Sequence, residues 1–257
     1  MAEREPVGVF GLDELMEGGF PKNSVVLLSG SAGTGKSIIA QQFVHHGATR
    51  YNQKGLYISF EQNTRDIFEQ AARFGMDFKT LEDSGLVRFV FIDMSQRRIE
   101  EGKTHLDLIA EEIKRFQPKR VVVDSLTPLA DFPMSVNELA YYFNLTDLDA
   151  VFPTGIQQDL SVRMQVHKLI LMLKQLNVTA LLTSEIPKNS EYFSSDGVSE
   201  FMADGVILLR YLDTGTEYNR TLTIEKLRAT KHQDGALPFE ITQKGVIVKK
   251  PEDAFKP

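Results

Sequence analysis

Between Gly30 and Ser37 the chain reads GSAGTGKS, three glycines followed by a lysine and a serine. The spacing Gly30-x-x-x-x-Gly35-Lys36-Ser37 is that of a phosphate-cradling loop, the Walker A pattern. Glycines let the backbone curl until successive N–H groups point inward at anionic oxygens. A helix starting near Lys36 would add the positive end of its dipole. On this reading Gly30, Ser31, Ala32, Gly33, Thr34, Gly35, Lys36, Ser37 and Ile38 wrap a nucleotide. Lys36 reaches the outer phosphates, and the Ser37 hydroxyl binds the accompanying Mg²⁺.

Two carboxylates are candidates to work beside this loop. The run RVVVDS brings Asp124 to the carboxyl end of a buried strand, the end that faces the ligand in a doubly wound sheet. There Asp124 would hold the metal's water shell. The run LYISFEQ ends an apolar strand in Glu61 and Gln62. As the first strand after the loop's helix, it is expected near the loop strand, with Glu61 at the same edge. A carboxylate in that place would polarise a water in line with the outer phosphate. The alternative is a solvated acidic residue opening the next helix, where the dipole favours it.

These groups need a scaffold, and the chain supplies one. Strand-like runs at 24–29, 55–60, 86–92, 120–125, 178–184 and 205–211 alternate with helical periods at 36–49, 64–74, 104–116 and 162–176. Several of the strands are apolar throughout, as expected when both faces are covered. In THLDLIAEEIKRF, Leu106, Ile109, Ile113 and Phe116 fall on one helix face. The alternation predicts an α/β fold with a mostly parallel sheet flanked by helices. After residue 218 the short runs TLTIEKLRAT, ALPFEIT and GVIVKK leave little room for helices and predict an antiparallel extension. One domain is expected across residues 1–257, with its core at about 7–248 and a tail at 249–257.

Composition narrows the classes. The chain has 257 residues, 42% of them hydrophobic and 25% charged, the profile of a globular protein. No apolar run reaches the roughly 18 residues of a membrane span. The absence of cysteine excludes disulfides and thiolate metal sites. With no signal-peptide pattern at the start, these features predict a cytoplasmic protein. The net charge of −6 argues against nucleic-acid binding through bulk charge. His45, His46, His105, His167 and His232 lack the spacing of a metal site, so no metal is expected beyond the Mg²⁺ that accompanies a nucleotide.

Taken together, GLDELMEGGFPKNSVVLLSGSAGTGKS, LYISFEQ, RVVVDSLTPL, TALLTSE and EKLRATKH make the sequence resemble the KaiC-type ATPases of the RecA/RadA superfamily, in a single-domain, archaeal-type form. The likeness runs from about Val7 to Val248. It implies a RecA-like core, ATP and Mg²⁺ as ligands, ATP hydrolysis, and a hexameric ring with nucleotide between subunits. It makes Lys36 and Ser37 the Walker A residues, Asp124 the Walker B aspartate and Glu61 the first of two paired catalytic glutamates. Gln62 replaces the second, which implies slow turnover. Thr183 or Ser184 would sit on the strand that senses the outer phosphate. Lys226 and Arg228 match basic residues that act on a neighbouring subunit's nucleotide, and His232 is a further contact. Strand alternation would put Leu222, Ile224, Lys226 and Arg228 on one face, two apolar residues and then two cations about 6.6 Å apart.

The remaining features favour protein partners over DNA. From residue 121 to 162 there is no Lys or Arg, and Lys188 is the only basic residue between Glu185 and Asp204. Phosphate backbones are held by Lys and Arg, so a recombinase-like motor is the weaker alternative. Tyr141, Tyr142, Phe143 and Phe152 would serve core packing or a protein contact. By the same resemblance, the acceptor pair of an autokinase falls at Glu200 and Phe201, which cannot be phosphorylated. A module that binds ATP with little turnover is the remaining alternative.

Overall fold

The structure is a computed structural model describing residues 3–94, 104–131, 154–188, 190–213 and 218–249. Its centre is a nine-stranded sheet built from β3 (Val25–Gly30), β4 (Gly55–Ser59), β5 (Val87–Phe91), β6 (Arg120–Asp124), β7 (Thr179–Glu185), β8 (Gly205–Asp213), β9 (Tyr218–Leu227), β10 (Leu237–Thr242) and β11 (Gly245–Val248). The spatial order is β11-β10-β9-β8-β3-β7-β6-β4-β5. Pairings from β8 through β5 are parallel, and β8–β9, β9–β10 and β10–β11 are antiparallel. The predicted mostly parallel sheet with an antiparallel extension is therefore what forms. A small pair, β1 (Arg4–Glu5) with β2 (Phe20–Pro21), lies near the start.

Helices cover both faces. They are α1 (Lys36–Tyr51), α2 (Thr64–Ala72), α3 (Phe78–Asp83), α4 (His105–Phe116), α5 (Thr127–Asp131), α6 (Thr154–Gln175) and α7 (Ser199–Met202). On β3, Val26 and Leu28 enter one core with Ile39 and Phe43 of α1 and Phe78 of α3. Val25 and Leu27 enter the other with Ile109 and Ile113 of α4 and Leu169 and Leu173 of α6. With both faces buried, a central strand carries no polar alternation, which is why VVLLS reads as a continuous apolar run. Leu106 and Phe116 pack against the α4 side as the helical period requires.

The helix starts follow local chemistry. The Asn63 side chain caps α2, and Thr104 with Asp107 forms a reciprocal capping box on α4. The short helices α3, α5 and α7 are too brief to show a period and were not expected. Helix α6 begins at Thr154, earlier than the expected 162. Tyr141, Tyr142, Phe143, Phe152 and most of the tail lie outside the described residues.

Two expectations need correction. Strand β4 does not lie beside β3, because β7 and β6 stand between them. A parallel sheet is ordered by where each crossover helix packs, and the next strand in sequence is not obliged to be the neighbour. The second correction concerns β9. A register shift leaves Val206 opposite Lys226 but Ile207 opposite Ile224, so Glu225 is an extra residue. Such a bulge reverses the alternation beyond it. Leu222 and Ile224 face the α1 side with Ile207, whereas Lys226 lies opposite Val206, which belongs to the α6 side. The two apolar residues and the two cations are thus on opposite faces.

Candidate nucleotide site

The carboxyl ends of β3, β7, β6 and β4 form one edge of the sheet, and the loop Gly30–Ser37 sits at it. All three glycines are required there. A Cβ on Gly30 would come within 2.7 Å of the Leu209 carbonyl oxygen and 2.8 Å of Thr34 Oγ1. Gly33 and Gly35 have φ of 75° and 106°, the left-handed region. Thr34 is fully buried and closes the turn, its hydroxyl donating to the Ser31 carbonyl at 2.8 Å. The Tyr211 hydroxyl donates to the Gly33 carbonyl at 2.7 Å, bracing the loop from β8. Unlike α2 and α4, α1 has no side-chain cap: Gly35 is its N-cap residue. The free N–H groups of its first turn suit an anion.

Lys36 is only 6% exposed. Its Nζ donates to the carbonyls of Gly30 (3.0 Å) and Ser31 (3.1 Å) and lies 3.3 Å from Glu185 Oε1. The ammonium is therefore folded against the loop it would use to hold phosphate. Glu185 stands at the end of β7, in register with Gly30. Partnership across 149 residues of chain leaves no local signal.

Asp124 stands at the end of β6 with both carboxylate oxygens engaged. Thr183 Oγ1 donates to Oδ1 at 2.5 Å, and the Tyr57 hydroxyl donates to Oδ2 at 2.5 Å. Thr183, not Ser184, is therefore the β7 residue that meets Asp124. Ser184 instead contacts Ser195, as alternation along β7 demands. Tyr57 is buried, so its hydroxyl meets Asp124 away from water. Burial, and after it the Asp124 charge, push this phenol well above the usual tyrosine range. Tyr57 thus braces the aspartate expected to hold metal, and it remains a neutral donor. Sequence reading missed it, although a tyrosine inside the otherwise apolar LYISF was a signal.

Glu61 is exposed, and its Oε1 accepts from the Ser125 hydroxyl at 2.5 Å. Ser125 directly follows Asp124, and the peptide between them is cis. The Ser59 hydroxyl accepts from the N–H groups of Glu61 and Gln62 and fixes the turn after β4. Although β4 is remote from β3, its register with β6 puts Ser59 opposite Asp124, so Glu61 reaches the same edge. Lys36, Ser37, Asp124, Thr183 and Glu61 are therefore brought to one end of the sheet. Mg²⁺ fits this donor set: a serine hydroxyl in the first turn of an uncapped helix and a carboxylate lie at the same edge of the sheet.

Lys226, Arg228 and His232 are not brought there. Val26 pairs with Gly205, and Gly205 pairs with Leu227, so the end of β9 lies level with the start of β3. Gly30 is four residues further along β3, about 13 Å at the rise of a strand. Lys226 Nζ donates to the carbonyls of Glu200 (3.1 Å) and Phe201 (3.3 Å). Burial, and then the adjacent Arg228 charge, lower its pKa. Arg228 is exposed and lies 3.2 Å from Asp204 Oδ1, which also takes Lys174 at 2.8 Å. His232 leans on the next residue's carbonyl at 3.4 Å. His45 and His46 pack on Phe78 and Tyr51, and burial lowers the pKa of both. Among the described residues no group of His, Asp and Glu could hold a metal by itself.

A glycine-rich loop after β3, an aspartate two strands away on β6, and β7 between them make a RecA-like arrangement, and known proteins share it. The family model described as "ATPase: KaiC" matches residues 5–140 and 144–253. The chain belongs to the KaiC ATPase family. It is 32% identical over 252 residues to the circadian clock oscillator protein KaiC of Parathermosynechococcus lividus, covering 95% of this chain and 42% of that protein. It is 33% identical over 245 residues to KaiC 1 of Synechocystis sp., covering 93% and 42%. The chain thus spans under half the length of these relatives. The crystal structure of a KaiC-like protein from the hyperthermophilic archaeon Pyrococcus horikoshii superposes with a TM-score of 0.78 at 32% identity, covering 97% of this chain and all of that one. Among the described residues no helix is long and apolar enough to cross a membrane.

Proposed function

We propose that this KaiC-family chain is a slow, Mg²⁺-dependent ATPase that works as a hexameric ring in the cytoplasm and switches the state of a protein partner. The observation that carries this reading is the division of the basic residues between two ends of one sheet. Lys36 lies at the carboxyl edge with Asp124 and Glu61, while Lys226 and Arg228 flank Leu227, whose level on β3 is about 13 Å back along the strand from Gly30. Within one subunit the two sets cannot meet on a single phosphate. In a head-to-tail ring the far end of one subunit faces the near edge of the next.

The roles follow from the chemistry of each group. Gly30–Ile38 hold the phosphates through backbone N–H groups and the α1 dipole. Ser37 and Asp124 hold Mg²⁺, which when bound offsets phosphate charge. Lys36 turns from Glu185 to the outer phosphate. Glu61, held by Ser125, accepts a proton from the attacking water. Thr183 reports phosphate occupancy through Asp124, and Lys226 and Arg228 from the neighbour stabilise the charge that leaves with the phosphate. His232 contacts the same neighbour. With Gln62 in place of a second carboxylate, one base acts alone, and turnover is slow.

A DNA motor is disfavoured by the same geometry. Glu185, Glu200 and Asp204 are engaged with Lys36, the segment 193–194 and Arg228, so the loop after β7 is acidic and internally bonded. Autokinase activity is disfavoured because Glu200 and Phe201 occupy the acceptor positions. Subunit mixing tests the reading. Glu61→Gln and Arg228→Ala subunits should each be inactive and should recover ATP hydrolysis when exchanged into common rings. Exchange without recovered hydrolysis rejects the trans-acting role.

A further inference from the structure

Glu200 is a buried carboxylate, 6% exposed, on the short helix α7. A carboxylate in such a place is costly unless its oxygens are bonded. Here Oε1 accepts from the Phe193 N–H at 3.2 Å, and Oε2 accepts from the Ser194 hydroxyl. The turn between them is stiffened by Asp196, whose Oδ1 takes the N–H groups of Val198 and Ser199 at 2.8 and 2.7 Å.

The segment 193–195 is itself tied to the nucleotide edge. The Ser29 hydroxyl donates to the Phe193 carbonyl, and the Ser195 N–H donates to Ser184 Oγ at 3.0 Å. Ser29 directly precedes Gly30 of the phosphate loop, and Ser184 directly precedes Glu185, the partner of Lys36. On its other side Glu200 holds Lys226: its own carbonyl and that of Phe201 accept the Lys226 ammonium. An unbroken chain of hydrogen bonds therefore runs from the two residues behind the phosphate site to a cation at the far end of the sheet. Glu200 enters it with both its side chain and its main chain.

We infer that Glu200 is a positioning residue that sets Lys226 for a neighbouring subunit's nucleotide according to what its own subunit's phosphate loop holds. The inference rests on the trans-acting reading of Lys226 and Arg228 given above. The two arrangements it needs are Lys36 paired with Glu185 and Lys36 turned to phosphate. Release of Glu185 alters the end of β7. Ser184 carries the change to 193–195, and the Glu200 carboxylate passes it to the carbonyls that hold Lys226.

The mixing experiment separates this role from a structural one. In rings of Glu61→Gln and Arg228→Ala subunits, the first kind supplies only Lys226 and Arg228, and the second supplies only a phosphate loop with Glu61. Adding Glu200→Ala to the Glu61→Gln subunits should lower the recovered rate about three- to tenfold. Adding it to the Arg228→Ala subunits should leave the rate within about twofold. Ser194→Ala, which leaves Glu200 in place, should reproduce the dependence on placement, and Glu200→Gln, which keeps an acceptor and the shape, should restore the rate. Equal loss in both placements, or loss in neither, overturns the inference. A parent mixture that recovers no hydrolysis overturns the trans-acting reading and this inference with it.

Discussion

The ammonium of Lys36 lies 3.3 Å from Glu185 Oε1, across the mouth of the phosphate loop and between adjacent strands in register. A phosphate entering the loop competes with that carboxylate for the same cation, and the carboxylate repels it. Glu185→Gln removes both effects. With Glu185 about half exposed, the pair is worth at most about 1 kcal/mol, so ATP should bind about two- to fivefold more tightly. Titration with a fluorescent ATP analogue measures this. Unchanged or weaker binding shows that Glu185 does not restrain Lys36.

Glu61 is held by Ser125 at the edge that carries Asp124. Glu61→Gln should keep nucleotide affinity within about threefold while lowering phosphate release by about a hundredfold or more, the scale of a lost general base. A variant that releases phosphate at the parent rate shows that the base lies elsewhere.

Asp204 joins Lys174, Arg228 and the Val25 N–H at the opposite end. Burial tends to raise its pKa, but the Lys174 hydrogen bond, the Val25 N–H and the charges of Lys174 and Arg228 outweigh it and hold the carboxyl below 3.8. A carboxyl lowered on folding adds stability above its unfolded value, and that stability fades as pH falls through the folded value. Asp204→Asn should therefore lower the melting temperature at pH 7, and the difference should shrink only as pH drops below about 3.8. A difference that persists unchanged into that range shows that charge is not its source.

Gly47 lies inside α1, where alanine is ordinarily better by about 1 kcal/mol. Here a Cβ would sit 2.3 Å from Arg120 Nε. Arg120 is fully buried and fixed by Gln53 Oε1 (2.7 Å), the Pro6 and Phe43 carbonyls and Glu5. It cannot yield without breaking those bonds, so overpacking exceeds the propensity gain. Gly47→Ala should destabilise by about 1–3 kcal/mol in urea unfolding. A stabilised variant shows that the Arg120 side chain has room to move.

What sequence alone determined was whatever local chemistry encodes. A loop of three glycines before a helix, apolar strands of matching length and the α4 stripe depend on turn geometry and side-chain period, which act over a few residues. So the phosphate loop, the mostly parallel sheet and the antiparallel end were legible. The strand order, the Tyr57–Asp124 hydrogen bond, the Lys36–Glu185 pair and the bulge at Glu225 were decided by tertiary structure. Each joins residues far apart in the chain, or depends on how one strand registers against another. Packing across the sheet sets these choices: β7 and β6 bury their apolar faces between β3 and β4, and β9 takes up one extra residue against β8. That extra residue turns Lys226 and Arg228 onto the α6 side, where Glu200 meets Lys226, and no strand period read along the chain would have put them there.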